Sequence, residues 1–459
     1  MSENNKNFDV VVVGAGTAGS AAAFNLASQG FHVALIESRP LEKAGPDWFN
    51  AVPPWMFDEA GIDRPKGPEK HHGSKPVVSL ARADGVKARL KKSPLWHLNI
   101  SMLTARLHQL CRKSGVEIFD NTTAGKLFFV SGRPSSLSLT PTGGVGREFT
   151  VSARLFVDAA GMTGVLRHQS GVLGPYCPPV PRKHICLATQ QVCRINDKGL
   201  AQEYFHRSGC NTNDSINWMG VNGGFSTIAI GANDDLSTVD LLAGAISGIG
   251  SGAELLAGLK QKENWIGEPV VGGGAPIPIR RPYDILTAEG LALVGDSACQ
   301  VFPAHGSGTG IGMIAAKILA DSVAGTKDPG DPEALWNYQS KFMREYGSTF
   351  AAFDVFRRAI QPLDREQISS VFDSGMVSEN LFHAALNQKL PSLKFKNLVA
   401  PIRALRSAPE ICRKIYPQFA KMPLVYSFYR RYPREPDIKK LRRWSKGVAM
   451  FFGEVSDIY

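Results

Sequence analysis

The sequence predicts an α/β fold, α+β overall: a doubly wound parallel sheet, an antiparallel sheet domain inserted into it, and a helical C-terminal region. Three observations predict it. Phe8–Val13, FDVVVV, is an unbroken β-branched run of the kind that fills a buried parallel strand. It leads into Gly14-Ala-Gly16-Thr-Ala-Gly19 and an Ala- and Leu-rich stretch stopped by Gly30, which reads as a helix. A second buried strand, Leu291–Val294, leads into another glycine-rich turn and a helix from about Thr309 to Ala324.

The remaining elements follow in order. Phe31–Ile36 is the next strand and ends at Glu37. Residues 40–92 are rich in Pro, Gly and Lys and read as excursion loops with one short helix near Pro54–Ala60. Leu98–Ser114 reads as a helix, and Val116–Phe119 and Ala124–Val130 as strands. Gly132–Arg147 reads as a turn region, and Glu148–Asp158 ends in a buried strand. Between 180 and 285, alternating segments such as CLATQQVCRI predict an antiparallel sheet. From Asp331 the pattern is helical, with breaks expected at Pro362, Pro391, Pro401, Pro417 and Pro423. The expected division is therefore 1–175 and 281–330 for the nucleotide-binding domain, 176–280 for the substrate-binding sheet, and 331–459 for the helical region.

Composition excludes several classes. With 459 residues, 43% hydrophobic and 20% charged, the chain has the make-up of a globular protein with a sizeable core. Seven cysteines, with no CxxC pair, argue against a disulfide framework or zinc ribbon and for a reducing compartment. The polar N-terminus carries no signal-peptide pattern, and Leu241–Leu259 holds too many glycines and polar residues to span a membrane. A cytoplasmic protein is expected, with possible peripheral attachment. Eight Lys or Arg against Glu435 and Asp437 between Arg430 and Lys446 form a basic, aromatic stretch suited to an acidic partner, a phosphate or an anionic membrane surface. No nucleic-acid module accompanies it, so no nucleic-acid partner is expected.

The glycine turns carry the chemistry. Gly14 permits the tight turn, Gly16 lets a pyrophosphate approach the backbone, and Gly19 lets helix and strand pack closely. The helix N-terminus then offers free N–H groups and a positive dipole end. Glu37, 23 residues after Gly14, suits the hydroxyls of an adenosine ribose, with Arg39 beside it. A second signal is ARLFVDAAGMTGVLRH, with Asp158, Gly161 and Arg167; a third is LALVGDSACQVFPAHGSGTGIGMI. In the third, Asp296 ends a strand where a carboxylate meets a polyol, and the following glycines open a helix toward a ring that becomes anionic on reduction. The histidines show no metal-ligand spacing, no metal is expected, and no G-x-S-x-G elbow occurs.

In this order and spacing the three motifs resemble those of the para-hydroxybenzoate hydroxylase-like FAD-dependent oxidoreductases, nearest to the branch of flavin-dependent halogenases and geranylgeranyl reductases. The resemblance covers about residues 8–325 and implies FAD bound in an extended form on a Rossmann-like domain. It implies the glycine motif and Glu37 on the AMP half, Asp296 on the ribityl chain, and Pro303 with Gly306, Gly308, Thr309 and Gly310 along the isoalloxazine. Phe49–Pro54 is similar to a segment that runs along the flavin in halogenase-like enzymes, with Asn50 in place of its acid. Ile216–Gly220 is similar to a tryptophan-bearing substrate strand, keeping Trp218 and lacking the proline. Lys75 falls near the halogenase lysine, with Lys66 and Lys70 as competitors and a solvated loop lysine as the plain alternative. His305, inside the ring-lining loop, is a candidate for proton transfer or a brace for the loop.

The resemblance implies an FAD-dependent oxidoreductase. A monooxygenase acting on a bulky aromatic or hydrophobic substrate is expected first. A reductase of isoprenoid double bonds is the alternative, and a halogenase or a flavoprotein modifying a partner polypeptide comes next. Phe302-Pro303 stands where prenyl reductases are expected to carry Asn-Pro, which favours the first reading. No second glycine fingerprint is present for NAD(P)H, so electrons come from transient nicotinamide or from a separate flavin reductase or carrier.

Overall fold

The structure, a computed structural model, describes residues 6–72, 75–80, 88–143, 147–374, 378–391 and 409–456. The first five residues, the His72 side chain and Pro401 lie outside the described residues.

A six-stranded sheet runs in the order Thr287–Ala288, Leu291–Leu293, Leu155–Asp158, Val10–Val13, Val33–Ile36, Glu117–Phe119. Every neighbouring pair is parallel except the first. Val10–Val13, Val33–Ile36 and Leu155–Asp158 are buried throughout, which is why they read as unbroken apolar runs. From Val10–Val13 the sheet grows both ways, to residue 33 on one side and residue 155 on the other. The strand order reverses there, and the crevice beyond the carboxyl ends is where such sheets take a ligand.

Gly132–Arg147, expected as a turn, instead contains the strand Arg133–Pro141. It pairs with Thr122–Val130 and Phe149–Ser152 in a four-stranded sheet that Lys6–Asn7 completes. Ser-Leu-Ser-Leu alternation drives it, placing Leu137 and Leu139 in the core. The excursion 40–92 is also more ordered than expected. The helix forms at Trp55–Glu59, and Phe49–Val52, Trp96–Asn99 and Lys70–His72 make a small sheet.

Val77–Leu80 and Ala88–Leu90 join the edge of a seven-stranded sheet whose other strands are Ile266–Pro278, Ile185–Ile195, Thr238–Ile246, Ser226–Ala232 and Ser215–Met219. One face carries Ile216, Ile228, Ile230, Val239 and Leu241 against the helices Lys198–Arg207 and Gly252–Lys262. The other carries rows of uncharged residues, more than half of them small. One row reads Gly273, Gln190, Leu242, Ala229, Asn217 and the next reads Ala275, Ala188, Gly244, Thr227, Met219. This second face turns toward the nucleotide-binding half, where Phe49 N–H donates to Gln190 Oε1 at 2.6 Å.

The C-terminal region is helical: Pro332–Phe342, a π turn Met343–Gly347, Ser348–Ile360, and further helices that include Pro409–Tyr429 and Ile438–Phe452. Pro417 and Pro423, expected as breaks, lie inside Pro409–Tyr429. Burial of Met422, Val425 and Tyr429 holds that helix together against the local cost of proline. All seven cysteines are buried, and none is joined in a disulfide. No described helix is long and apolar enough to cross a membrane.

Candidate cofactor and substrate site

The three glycines of the first turn play different parts. Gly14 adopts φ +102°, and a Cβ there would stand 2.3 Å from the Ala159 carbonyl oxygen. A Cβ on Gly19 would stand 1.9 Å from the Gly14 carbonyl oxygen. Gly16 differs: its φ is −68°, and a Cβ would meet nothing nearer than Gly45 Cα at 3.9 Å. The fold therefore requires glycine at 14 and 19, while the space over Gly16 is left open. Glu37, buried at the end of its strand, accepts from Ala15 N–H at 3.0 Å and from Arg39 N–H and Nε at 3.1 Å each. Arg39 itself is half exposed at the rim.

The second turn closes on itself. Phe302 N–H donates to the Ser307 carbonyl at 3.0 Å, and Gly306 N–H to the Phe302 carbonyl at 2.8 Å. Pro303 is buried within it. A Cβ on Gly308 would stand 3.1 Å from Asp296 Oδ1, so the carboxylate looks onto the start of helix Thr309–Val323. A Cβ on Gly310 would strike Met56 Sδ at 2.3 Å, which makes that glycine a packing requirement. Ala18 joins the two turns: Cβ atoms on Gly295 and Gly312 would lie 2.9 and 3.0 Å from its own Cβ. The two glycine-opened helices thus start side by side. Neither has a side-chain cap or an acid in its first turn, whereas Asn99, Asp197, Ser251, Asp331 and Asp437 cap other helices.

Asp296 is half-buried, and among the described residues its carboxylate has no hydrogen-bond partner; desolvation pushes it up to about 6. Ser297 Oγ beside it and Trp48 Nε1 are buried without partners. Trp48 packs with Ile277 and Ile279 where the sheet face meets the loop, and a Cβ on Gly306 would lie 3.6 Å from Ile277. Nothing in the sequence signals Trp48, which lies in a loop outside every motif.

Other expected residues fall elsewhere. Asp158 is fully buried, and its carboxylate accepts from Ala160, Leu166 and Arg167 N–H at 3.2, 2.8 and 2.7 Å. It shapes the loop around Gly161, which adopts φ +70° with open space above it. Trp218 points away from the small-residue face: it packs in the helix-covered core and donates from Nε1 to Tyr204 OH at 2.8 Å. In that strand Asn217 shares the opposite face, and Met219 at its end packs against Ile360, Ile368 and Ile415 of the C-terminal helical region. Lys75 Nζ donates to the Ala232 carbonyl at 2.8 Å and lies 3.4 Å from Asp234 Oδ1, tied to the end of a strand. Asn50 joins the second turn directly, donating to Thr309 Oγ1 at 3.1 Å and accepting from Ser307 Oγ at 3.2 Å. The His305 ring packs on Phe302 at 4.8 Å and against the Ala385 backbone. Its Nε2 is buried without a partner, and desolvation lowers the imidazole to about 4, so it is neutral at pH 7.

An open backbone at Gly16, two uncapped helix ends and an unpartnered carboxylate fit a phosphate-bridged dinucleotide with a polyol arm and a ring that gains charge on reduction. Residues 9–173 match the family model described as FAD dependent oxidoreductase. The chain is an FAD-dependent oxidoreductase, an enzyme whose cofactor is FAD.

It is 25% identical over 456 residues to the digeranylgeranylglycerophospholipid reductase of Sulfolobus acidocaldarius, covering 96% of each chain. In three dimensions it is similar to a geranylgeranyl bacteriochlorophyll reductase-like protein from Thermoplasma acidophilum, with a TM-score of 0.70 at 15% identity over 90% of this chain and 100% of that one. It is also similar to a flavin-dependent brominase, with a TM-score of 0.60 at 14% identity over 89% of this chain and 100% of that one. The resemblance drawn from the motifs therefore holds at the level of fold, cofactor and branch.

Proposed function

We propose that this enzyme reduces carbon–carbon double bonds in an isoprenoid chain carried by a lipid. One observation carries the reading. Similarity to the Sulfolobus reductase runs through nearly the whole of both chains, well beyond the FAD-binding half. This favours reduction over the hydroxylation expected first from the sequence.

The sheet face supports it. Ala188, Ala229, Gly244, Gly273 and Ala275 are small and uncharged, the kind of residues against which an extended apolar chain packs. We assign Gly16 and the first helix end to the pyrophosphate, Glu37 and Arg39 to the adenosine ribose, and Asp296 to the ribityl hydroxyls. The turn Phe302–Gly310 lies along the ring. Bound and reduced, FAD supplies a hydride equivalent. The protein's part is to hold the chain against the ring, with Asn50, Ser307 and Thr309 keeping the turn in place and the apolar face excluding water. A nicotinamide or a separate flavin reductase or electron carrier supplies the electrons.

The test is anaerobic incubation of chemically reduced enzyme with a geranylgeranyl lipid, followed by mass spectrometry. A gain of one H2 per double bond supports the reading. Oxygen incorporation in air, with no anaerobic reduction, overturns it in favour of hydroxylation.

A further inference from the structure

A groove of about 510 Å³ lies where helix Pro332–Phe342 meets the segment that follows Pro409–Tyr429. Asn337, Lys341, Arg344, Arg430 and Arg434 line it, with Glu345 as its one carboxylate. Arg344 sits in the π turn, a helix irregularity that often marks a functional position. Its Nε donates to the Arg430 carbonyl at 3.0 Å, and Arg430 Nη1 donates back to the Arg344 carbonyl at 3.3 Å. These reciprocal bonds hold two guanidinium groups together although like charges repel. Among the described residues none of the four cations has an ion-pair partner. The site is also rigid: Trp336 Nε1 donates to the Pro433 carbonyl at 3.0 Å, and Tyr432 OH to the Asp284 carbonyl at 2.9 Å. Desolvation and the charges of Arg434 and Arg430 lower the Arg344 pKa, the direction expected where cations crowd together with no anion between them.

We propose that this groove binds the phosphate of a phosphorylated ligand, either a lipid headgroup or a soluble diphosphate. Guanidinium forks match phosphate oxygens in geometry as well as charge. Ser322 on its wall is near the far end of helix Thr309–Val323, about 20 Å by helix rise from the turn beside Asp296. The proposal stands independently of the reductase reading.

The test uses flavin-loaded enzyme at physiological salt, where diffuse attraction is screened. One arm titrates pyrophosphate by calorimetry. The other sediments the enzyme with vesicles of phosphatidylcholine alone or mixed with phosphatidylglycerol. Single-site pyrophosphate binding, weakened about tenfold or more in R344Q/R430Q, supports the site. Because those two side chains also bond backbone, K341Q/R434Q is a second variant, and flavin content checks the fold of both. Retention on phosphatidylglycerol vesicles that pyrophosphate competes away identifies a lipid source; pyrophosphate binding without vesicle retention identifies a soluble one. No binding in either arm, or binding that both variants leave unchanged, overturns the proposal.

Discussion

Asn50 Nδ2 donates to Thr309 Oγ1 across 3.1 Å, fastening the strand Phe49–Val52 to the first residue of the second glycine-opened helix. Its Oδ1 accepts from Ser307 Oγ at 3.2 Å, so one amide bridges both sides of the turn. An amide gives and accepts at once, whereas an ionised acid only accepts. Asn50→Ala is expected to loosen the turn and weaken FAD binding by up to about thirtyfold, through two lost hydrogen bonds of about 1 kcal/mol each. Flavin fluorescence titration of the apoprotein checks this, and unchanged affinity contradicts it.

The Asp296 carboxylate, raised to about 6 by desolvation from an ordinary 3.8, predicts a pH dependence. A raised folded pKa means that ionisation opposes folding, so the fold loses stability as pH rises from about 4 through 6. At the site proposed for FAD, ribityl hydroxyls donating to the ionised carboxylate would act in the opposite direction. FAD affinity should therefore fall as pH drops below about 6, by at most about tenfold per unit for one proton. Asp296→Asn should flatten that dependence. An affinity profile that keeps its slope in the variant would assign the proton elsewhere.

His305 is expected to brace the turn. Its imidazole is neutral at pH 7, lies against Phe302, and keeps Nε2 buried without a partner. His305→Phe keeps the packing and should retain flavin and most turnover. A general acid–base role would instead cost about 10²- to 10⁴-fold in turnover at full flavin occupancy.

The C-terminal end is pinned by Glu454, which accepts from Arg358 Nη1 at 2.6 Å and Arg281 Nη2 at 3.3 Å. Burial alone would raise its carboxyl, but His184, whose Nε2 lies 3.7 Å away, and the charges of Arg281 and Arg358 hold it well below the usual range. A depressed folded pKa contributes stability above about 4.5 that is lost as pH falls toward the folded value. Glu454→Gln should cost about 2 kcal/mol at pH 7, where charged hydrogen bonds are lost, and less in acid. Urea unfolding at the two pH values measures the difference; equal costs would contradict it.

Local features were legible in the sequence and long-range ones were not. FDVVVV, Gly14, Gly16, Gly19 and the strand before Asp296 announce themselves because burial, turn and helix start lie within a few residues. Alternation shows that Ile216 and Trp218 share a face, but not that the face packs under helix Lys198–Arg207; only the fold brings Met219 against Ile368 of the C-terminal helices. Lys75 finds its partner 157 positions away at Ala232, and Ser307 bonds Asn50 257 positions away. No local pattern encodes such pairs. The strands within 40–92 were hidden for the same reason, since Val77–Leu80 takes its register from Ser215–Trp218. Pro417 and Pro423 read as breaks because proline disfavours a helix locally, and packing overrode it.

The most direct test of the FAD site compares two glycines of one turn. Gly16→Ala adds a methyl where the protein has nothing nearer than 3.9 Å, at a φ that alanine adopts freely. Gly19→Ala drives the same methyl to 1.9 Å from the Gly14 carbonyl oxygen. Gly16→Ala apoprotein is expected to unfold within about 1 kcal/mol of wild type, because alanine also restricts the unfolded chain, yet to purify largely without FAD. Gly19→Ala should lose stability itself. A Gly16→Ala enzyme purified with full FAD occupancy and wild-type affinity would contradict the placement of the pyrophosphate over Gly16.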